Sequence, residues 1–243
     1  MFKQLVLAGV LMAAAGAATA DERPPLPADP TEDPIMMSAG FLSSHPDLRY
    51  RLLGVQAYRD GEYTQAFEYF RRASYYADKP SQGMVAEMLW TGQGTARDPA
   101  LGYAWMDLAA ERGYRGFVVQ RERYWARMDA AERERALDEG ATVYERYGDE
   151  AARPRIDAEL RRARRQITGS RTGHPVGPLR IEVPGPNGTT LSIDGTKFYD
   201  PVYWDPEQYQ AWHDQVWKEP RTGTVDVGEL ESLRPANGEH DAP

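Results

Sequence analysis

The chain has 243 residues, 41% of them apolar, with a formal net charge of −8 and no cysteine. That length accommodates one large domain or two small ones. The lack of cysteine excludes a disulfide scaffold, and the acidic balance argues against nucleic-acid binding, which needs a positive contact face.

Residues 1–20 read as a targeting segment. Lys3 precedes an apolar run from Leu5 to Ala18, and Ala18-Thr19-Ala20 has the small-residue pattern of a cleavage site ahead of Asp21. The run is shorter than the roughly 20 residues that span a bilayer. The expectation is a signal peptide cleaved near Ala20, a periplasmic or secreted mature chain, and no transmembrane segment. Residues 21–47 carry Pro24, Pro25, Pro27, Pro30, Pro34 and Pro46 among acids. Proline at this density blocks helical and sheet ladders, which predicts an extended leader, at most partly draped on the domain behind it.

Residues 48–147 change to helical periodicity and show internal similarity. Leu53, Gly54, Ala57, Ala66, Phe70 and Ala73 lie at helix-pair spacing around a Gly61-Glu62-Tyr63 turn. Small residues at Gly54, Ala66 and Ala73 let two antiparallel helices approach closely, while Tyr58, Tyr69 and Phe70 fill the space between neighbouring pairs. A second unit carries Gly92-Gln93-Gly94, Asp98, Trp105, Ala109, Ala110 and Gly113. At a shift of 36 residues, Ala66 falls on Gly102, Tyr69 on Trp105 and Ala73 on Ala109. Gly92 and Gly94 permit the turn, Asp98-Pro99 reads as a helix cap followed by proline in the first turn, and Gly113 ends the second helix. This pattern resembles the Sel1-like and tetratricopeptide repeat family over about residues 48–128. The resemblance implies an α-solenoid of two to three helical hairpins, whose concave face uses the first helix of each pair. Arg51, Gln56, Arg59, Glu87 and Thr91 are the expected concave residues.

A third unit departs from the pattern. Arg121 and Glu122 replace the usual Leu-Gly, and Met128 replaces the turn glycine, but Asp129-Ala130-Ala131-Glu132 has the form of a capping box. Residues 117–147 are therefore expected to form a degenerate capping hairpin. Next, residues 148–169 are read as a basic amphipathic helix with the apolar stripe Ile156, Leu160, Ala163 and Ile167. Its other faces carry Arg153, Arg155, Arg161, Arg162, Arg164 and Arg165, and Gly169 stops it.

Residues 170–237 read as a small α/β segment. Strands are expected at Leu179–Val183 and Thr189–Ile193 around Pro184–Gly188, with a second turn at Asp194-Gly195. A helix opens at Asp205-Pro206-Glu207 with the apolar face Tyr209, Trp212, His213, Val216 and Trp217, and Pro220 closes it. Gly223–Leu230 is a candidate last strand, and residues 238–243 are expected to be a disordered tail.

No P-loop, H-E-x-x-H, G-x-S-x-G or S-x-x-K motif occurs, so no catalytic residue is assigned and no cofactor or metal site is expected. The four histidines, His45, His174, His213 and His240, show no metal-ligand spacing. The candidate partner-binding residues are Arg155, Arg161, Arg162, Arg164, Arg165 and Arg171, together with Trp204 and Trp212. Residues 151–171 hold seven arginines against two acids, whereas residues 180–243 hold twelve acids against five bases. Three readings stand: the arginines pair with the acidic C-terminal part, they meet an external acidic partner, or they form a bare solvated face. The aromatic run around Trp204 and Trp212 reads as core, or as a surface that stacks on sugar rings. Small residues and Arg171 in the loop 168–174 suggest a connector or an anion-binding nest. The expected function is a scaffold or adaptor binding another exported or envelope protein. The alternatives are an acidic ligand or wall polymer on the arginines, and a glycan-binding accessory factor or hydrolase using the aromatic region.

Overall fold

The computed structural model describes residues 29–167 and 180–218. The predicted signal peptide, the loop 168–174 with Arg171, the Gly223–Leu230 strand and the 238–243 tail lie outside the described residues. The fold is mainly α, with one two-stranded sheet.

Residues 29–44 are not extended. Two short 3-10 turns flank α1 (Pro34–Ser38); Pro30 starts the first turn and Pro34 starts α1 rather than blocking them, and the second turn follows Gly40. Asp33 caps α1 by accepting from the Ile35 and Met36 amides, with Pro34 in the first turn, where no donor is needed.

The helical repeats follow as α2 (Pro46–Arg59), α3 (Tyr63–Ser74), α4 (Lys79–Thr91), α5 (Pro99–Ala109), α6 (Arg115–Arg127) and α7 (Ala130–Tyr147). α2 packs on α3, α4 on α5, and α3 on α4, which stacks the pairs. Gly54 presses against Phe70, since a Cβ there would stand 2.7 Å from the ring. Ala66 and Ala73 are fully buried on the facing helix. Gly61, Gly92, Gly94 and Gly113 all have left-handed φ at their turns. At Gly94 the backbone also lies on the Tyr63 carbonyl, leaving no room for a side chain. Asp98 caps α5 by accepting from the Leu101 amide at 3.1 Å. Trp105, Ala109 and Ala110 are buried in or beside the first core, which runs from Ala57 to Tyr147.

The capping box at Asp129–Glu132 is present, with both reciprocal hydrogen bonds formed. α6 and α7 follow one another across the Met128-Asp129 turn, but α7 packs chiefly on α5. Ala100, Met128 and Ala136 form the small cluster at that seam.

α8 (Asp149–Ile167) carries Pro154 within its length. β1 (Arg180–Pro184) and β2 (Thr190–Asp194) pair antiparallel with Ile181 opposite Ile193 and Val183 opposite Leu191. Asp194-Gly195 is not a second hairpin turn. Asp194 caps α9 (Gly195–Phe198), and Asp200 caps a further short helix, α10 (Pro201–Trp204), ahead of α11 (Pro206–Lys218). A second core joins three distant stretches: Met36, Phe41 and Leu48; Ile156, Leu160 and Ala163 of α8; and Ile193, Phe198, Tyr203, Trp204, Tyr209 and Trp212.

Candidate functional site

The first helices of successive pairs border a groove of about 480 Å³. Residues one 36-residue step apart recur along it: Arg51 and Glu87, Pro80 and Gly116, Met84 and Gln120. Phe70 of α3 and Met106 of α5 reach the groove from the second helices. Val55, Met84 and Phe117 line it as half-buried side chains. Phe117 lies against the bare Cα of Gly83, where a Cβ would stand 2.7 Å from the ring. Trp217 of α11, 37% exposed, lines the same groove and stacks on Phe117 with ring centroids 6.1 Å apart.

The charged groups of the groove are engaged within the protein. Arg51 pairs with Asp78 at 3.0 Å, and Asp78 in turn caps α4 through the Ser81 amide. Glu87 accepts a short hydrogen bond from the Tyr124 hydroxyl. The groove therefore offers methionine and aromatic surface to a ligand, with its polar side chains already oriented. Arg51 and Glu87 of the expected concave set line it. Gln56 instead bonds Asp60, Thr91 bonds the Glu87 carbonyl, and Arg59 is exposed outside the lining. Sequence reasoning missed Met84, Phe117 and Trp217. The 36-residue step relates Met84 to Gln120, but Phe117 steps back to buried Ser81, outside the lining, and Trp217 belongs to no repeat.

A buried polar joint lies between the repeats and α11. Lys79 is fully enclosed and held by Glu111 at 2.6 Å, Asp149 at 3.2 Å and the Leu108 carbonyl at 3.0 Å. Arg112 forks onto Asp149 at 2.7 and 2.8 Å, and the Tyr114 hydroxyl donates to Asp214 of α11 at 2.5 Å. The Tyr209 hydroxyl donates to buried Asp47 at 2.7 Å. Burial, then the neighbouring Asp78, pushes the Asp47 carboxyl up to about 7. Burial, then Arg51 and Arg112, holds His213 well below its ordinary value, with its Nε2 3.8 Å from Asp47. Perturbed acids and bases of this kind also occur in active sites. Here they line a cavity of about 10 Å³, room for about one water. The joint acts as a fastening between α2 and α11.

His45 fastens the other end. Its Nδ1 and Nε2 lie 2.8 Å from the Phe41 and Tyr203 carbonyls, and its ring stacks on Phe41 at 3.9 Å. Burial dominates over the two carbonyls and pushes its pKa down to about 4.

The candidate arginines separate into different roles. Arg155 donates to the Tyr75 and Arg146 carbonyls at 3.1 and 2.7 Å and lies 3.7 Å over the Tyr75 ring. Arg164 pairs with Asp205 at 3.0 Å, an internal link from α8 to the acidic C-terminal part. Arg161 lies 3.8 Å from Asp157, and Arg162 pairs with Glu159 at 2.9 Å, both on α8 itself. Among the described residues, Arg165 reaches only the Arg161 carbonyl. Arg161, Arg162 and Arg165 thus form the exposed basic ridge, whereas Arg155 and Arg164 hold the fold. Trp204 and Trp212 are corrected as partner contacts: each is 4% exposed, packed among Phe198, Tyr203 and Tyr209. The aromatic run closes on itself because these rings pack into the second core beside Met36, Phe41 and Ile156. Among the described residues, no cluster of metal-ligating side chains comes together, and no helix is long and apolar enough to cross a membrane.

No family model matches the chain, and no curated protein matches it. Among solved structures, it is similar to a protective antigen of uropathogenic Escherichia coli described as displaying an SLR fold. Identity is 22% and the TM-score is 0.39, over 55% of this chain and 27% of that one.

Proposed function

We propose that the protein is a binding scaffold that holds an apolar segment of a partner polypeptide in the groove between α2, α4 and α6, and that it works after export. The observation that carries this reading is the groove itself. Val55, Met84, Phe117 and Trp217 present apolar surface in a concavity, while the adjacent Arg51 and Glu87 are committed to Asp78 and Tyr124. Flexible methionines beside rigid aromatics adapt to bulky apolar side chains of a bound segment. Internally paired charged groups suit recognition better than acid-base chemistry. Export rests on the sequence of residues 1–20. Placing the partner among exported or envelope proteins follows from that.

Selection from a displayed random-peptide library tests the groove. Recovered peptides should share two or more bulky apolar residues, and Met84→Glu should weaken them about tenfold or more by placing a carboxylate against the apolar surface. Arg162→Gln, on the distant ridge, should leave binding unchanged. Peptides without apolar anchors, or affinities indifferent to Met84→Glu, would sink the groove reading.

A further inference from the structure

A second concavity, of about 350 Å³, lies where the C-terminal ends of α3 and α7 meet the start of α2. Arg71, Arg72 and Arg146 line it with Tyr50, Tyr75 and Tyr76, and Glu68 is its one carboxylate. Arg71 stands 3.4 Å from Glu68. Arg72 and Arg146 have no ion-pair partner among the described residues, and each lies over a tyrosine ring, Tyr50 and Tyr147 respectively. Arg49 adds a further cation above Tyr50 at 4.9 Å. A chain of net charge −8 thus gathers uncompensated guanidinium groups around one hollow.

Cations in the last turn of a helix ordinarily complement the carbonyl end of the helix dipole. That explains Arg71, Arg72 and Arg146 singly, but not their convergence from two helices on a shared concavity. The walls are also fixed. Arg155 of α8 bonds the Tyr75 carbonyl at the end of α3 and the Arg146 carbonyl at the end of α7, so one side chain sets the spacing of both sides. The hydroxyls of Tyr50, Tyr75 and Tyr76 have no hydrogen-bond partner among the described residues. Burial and then Glu159 raise the Tyr76 hydroxyl above its ordinary value, which keeps it a donor.

We propose that this hollow is a binding site for a small phosphorylated molecule, with Arg72 and Arg146 taking the phosphate oxygens and the tyrosines flanking the rest. Guanidinium forks pair bidentately with phosphate, and donors arriving from separate helices match a tetrahedral group better than a planar carboxylate. The volume is that of a small-ligand pocket. Arg155 is a positioning residue for the site.

Calorimetric titration of the whole chain with inorganic pyrophosphate, and with citrate as a carboxylate of comparable charge, tests this. Pyrophosphate should bind saturably at one per chain, more tightly than citrate, and less tightly as salt rises. The double variant Arg72→Gln, Arg146→Gln should weaken it about a hundredfold, roughly tenfold for each guanidinium removed from the phosphate, with an unchanged melting temperature. Arg161→Gln with Arg162→Gln should have no effect. Absence of saturable pyrophosphate binding overturns the proposal. So does tighter binding of citrate, or equal weakening by the two double variants, which would mark diffuse charge attraction. Peptide binding in the groove should be unaffected by this double variant, so the two sites fail or stand separately.

Discussion

Asp47 and His45 stand two residues apart at the start of α2, and burial disfavours the charged form of each. Their effects on stability run in opposite directions. Folded Asp47 keeps its proton to about pH 7, whereas an unfolded chain releases it near pH 4. Between those limits the folded state binds more protons, so stability falls as pH rises. Folded His45 resists protonation down to about pH 4, whereas the unfolded ring takes a proton near pH 6.5. Across that window the unfolded state binds more protons, so stability rises with pH. The two slopes offset one another between about pH 4 and 6.5, and a simple melting profile conceals both. The difference between Asp47→Asn and the parent isolates the carboxyl. It should shift in favour of the variant by on the order of 2–4 kcal/mol between pH 4 and pH 8, since each unit of pKa shift is worth about 1.4 kcal/mol. Denaturant titrations across that range check it, and a pH-independent difference would refute the buried, protonated carboxyl.

α8 shows how an element's composition can mislead about its role. Its arginines dominate the sequence, yet its contribution to stability lies in Ile156, Leu160 and Ala163, all buried against the leader and the C-terminal helices. Leu160→Ala should cost about 2–5 kcal/mol, the range for an emptied core leucine. Arg162→Gln removes an exposed ion pair, with Arg162 64% exposed, and should cost less than about 1 kcal/mol. Chemical denaturation separates the two; a larger loss from Arg162 would return the helix to an electrostatic role. Local chemistry is legible here and elsewhere. The repeat glycines, the Asp98 cap and the Asp129–Glu132 box each depend on residues within a few positions of one another. The leader departs from the extended expectation although its signal is of the same kind. Asp29-Pro30, Asp33-Pro34 and Asp200-Pro201 start helical turns just as Asp98-Pro99 and Asp205-Pro206 do. Proline density hides the cap that precedes each of these prolines. What the sequence does not convey is which distant stretch an apolar face meets. Trp217 joining the groove and Trp204 entering a core with Phe41 bring together segments far apart in the chain.

At the scale of the molecule, the repeats and the C-terminal segment are fastened in two ways. Leu48 of α2 lies in the second core while Ala57 of the same helix lies in the first. The polar joint then ties α11 to the repeats through Tyr209 with Asp47 and Tyr114 with Asp214. A C-terminal segment that merely paired with the arginines could be removed without harm to the rest. In this architecture its removal strips Phe198, Tyr203, Trp204, Tyr209 and Trp212 from a core that α1 and α8 also need. A chain ending at Ile167 should therefore lose amide protection by at least about tenfold in α1, α8 and the first turn of α2, while α4 and α5 stay protected by their own packing. Hydrogen exchange followed by mass spectrometry resolves these helices individually. Undiminished protection in α8 would mean that the C-terminal segment lies on the repeats without stabilising them, and Trp217 would then be a detachable wall of the groove. Selective loss would mean that the groove, α11 and the leader form one cooperative unit, so that a ligand gripping Trp217 also steadies the second core.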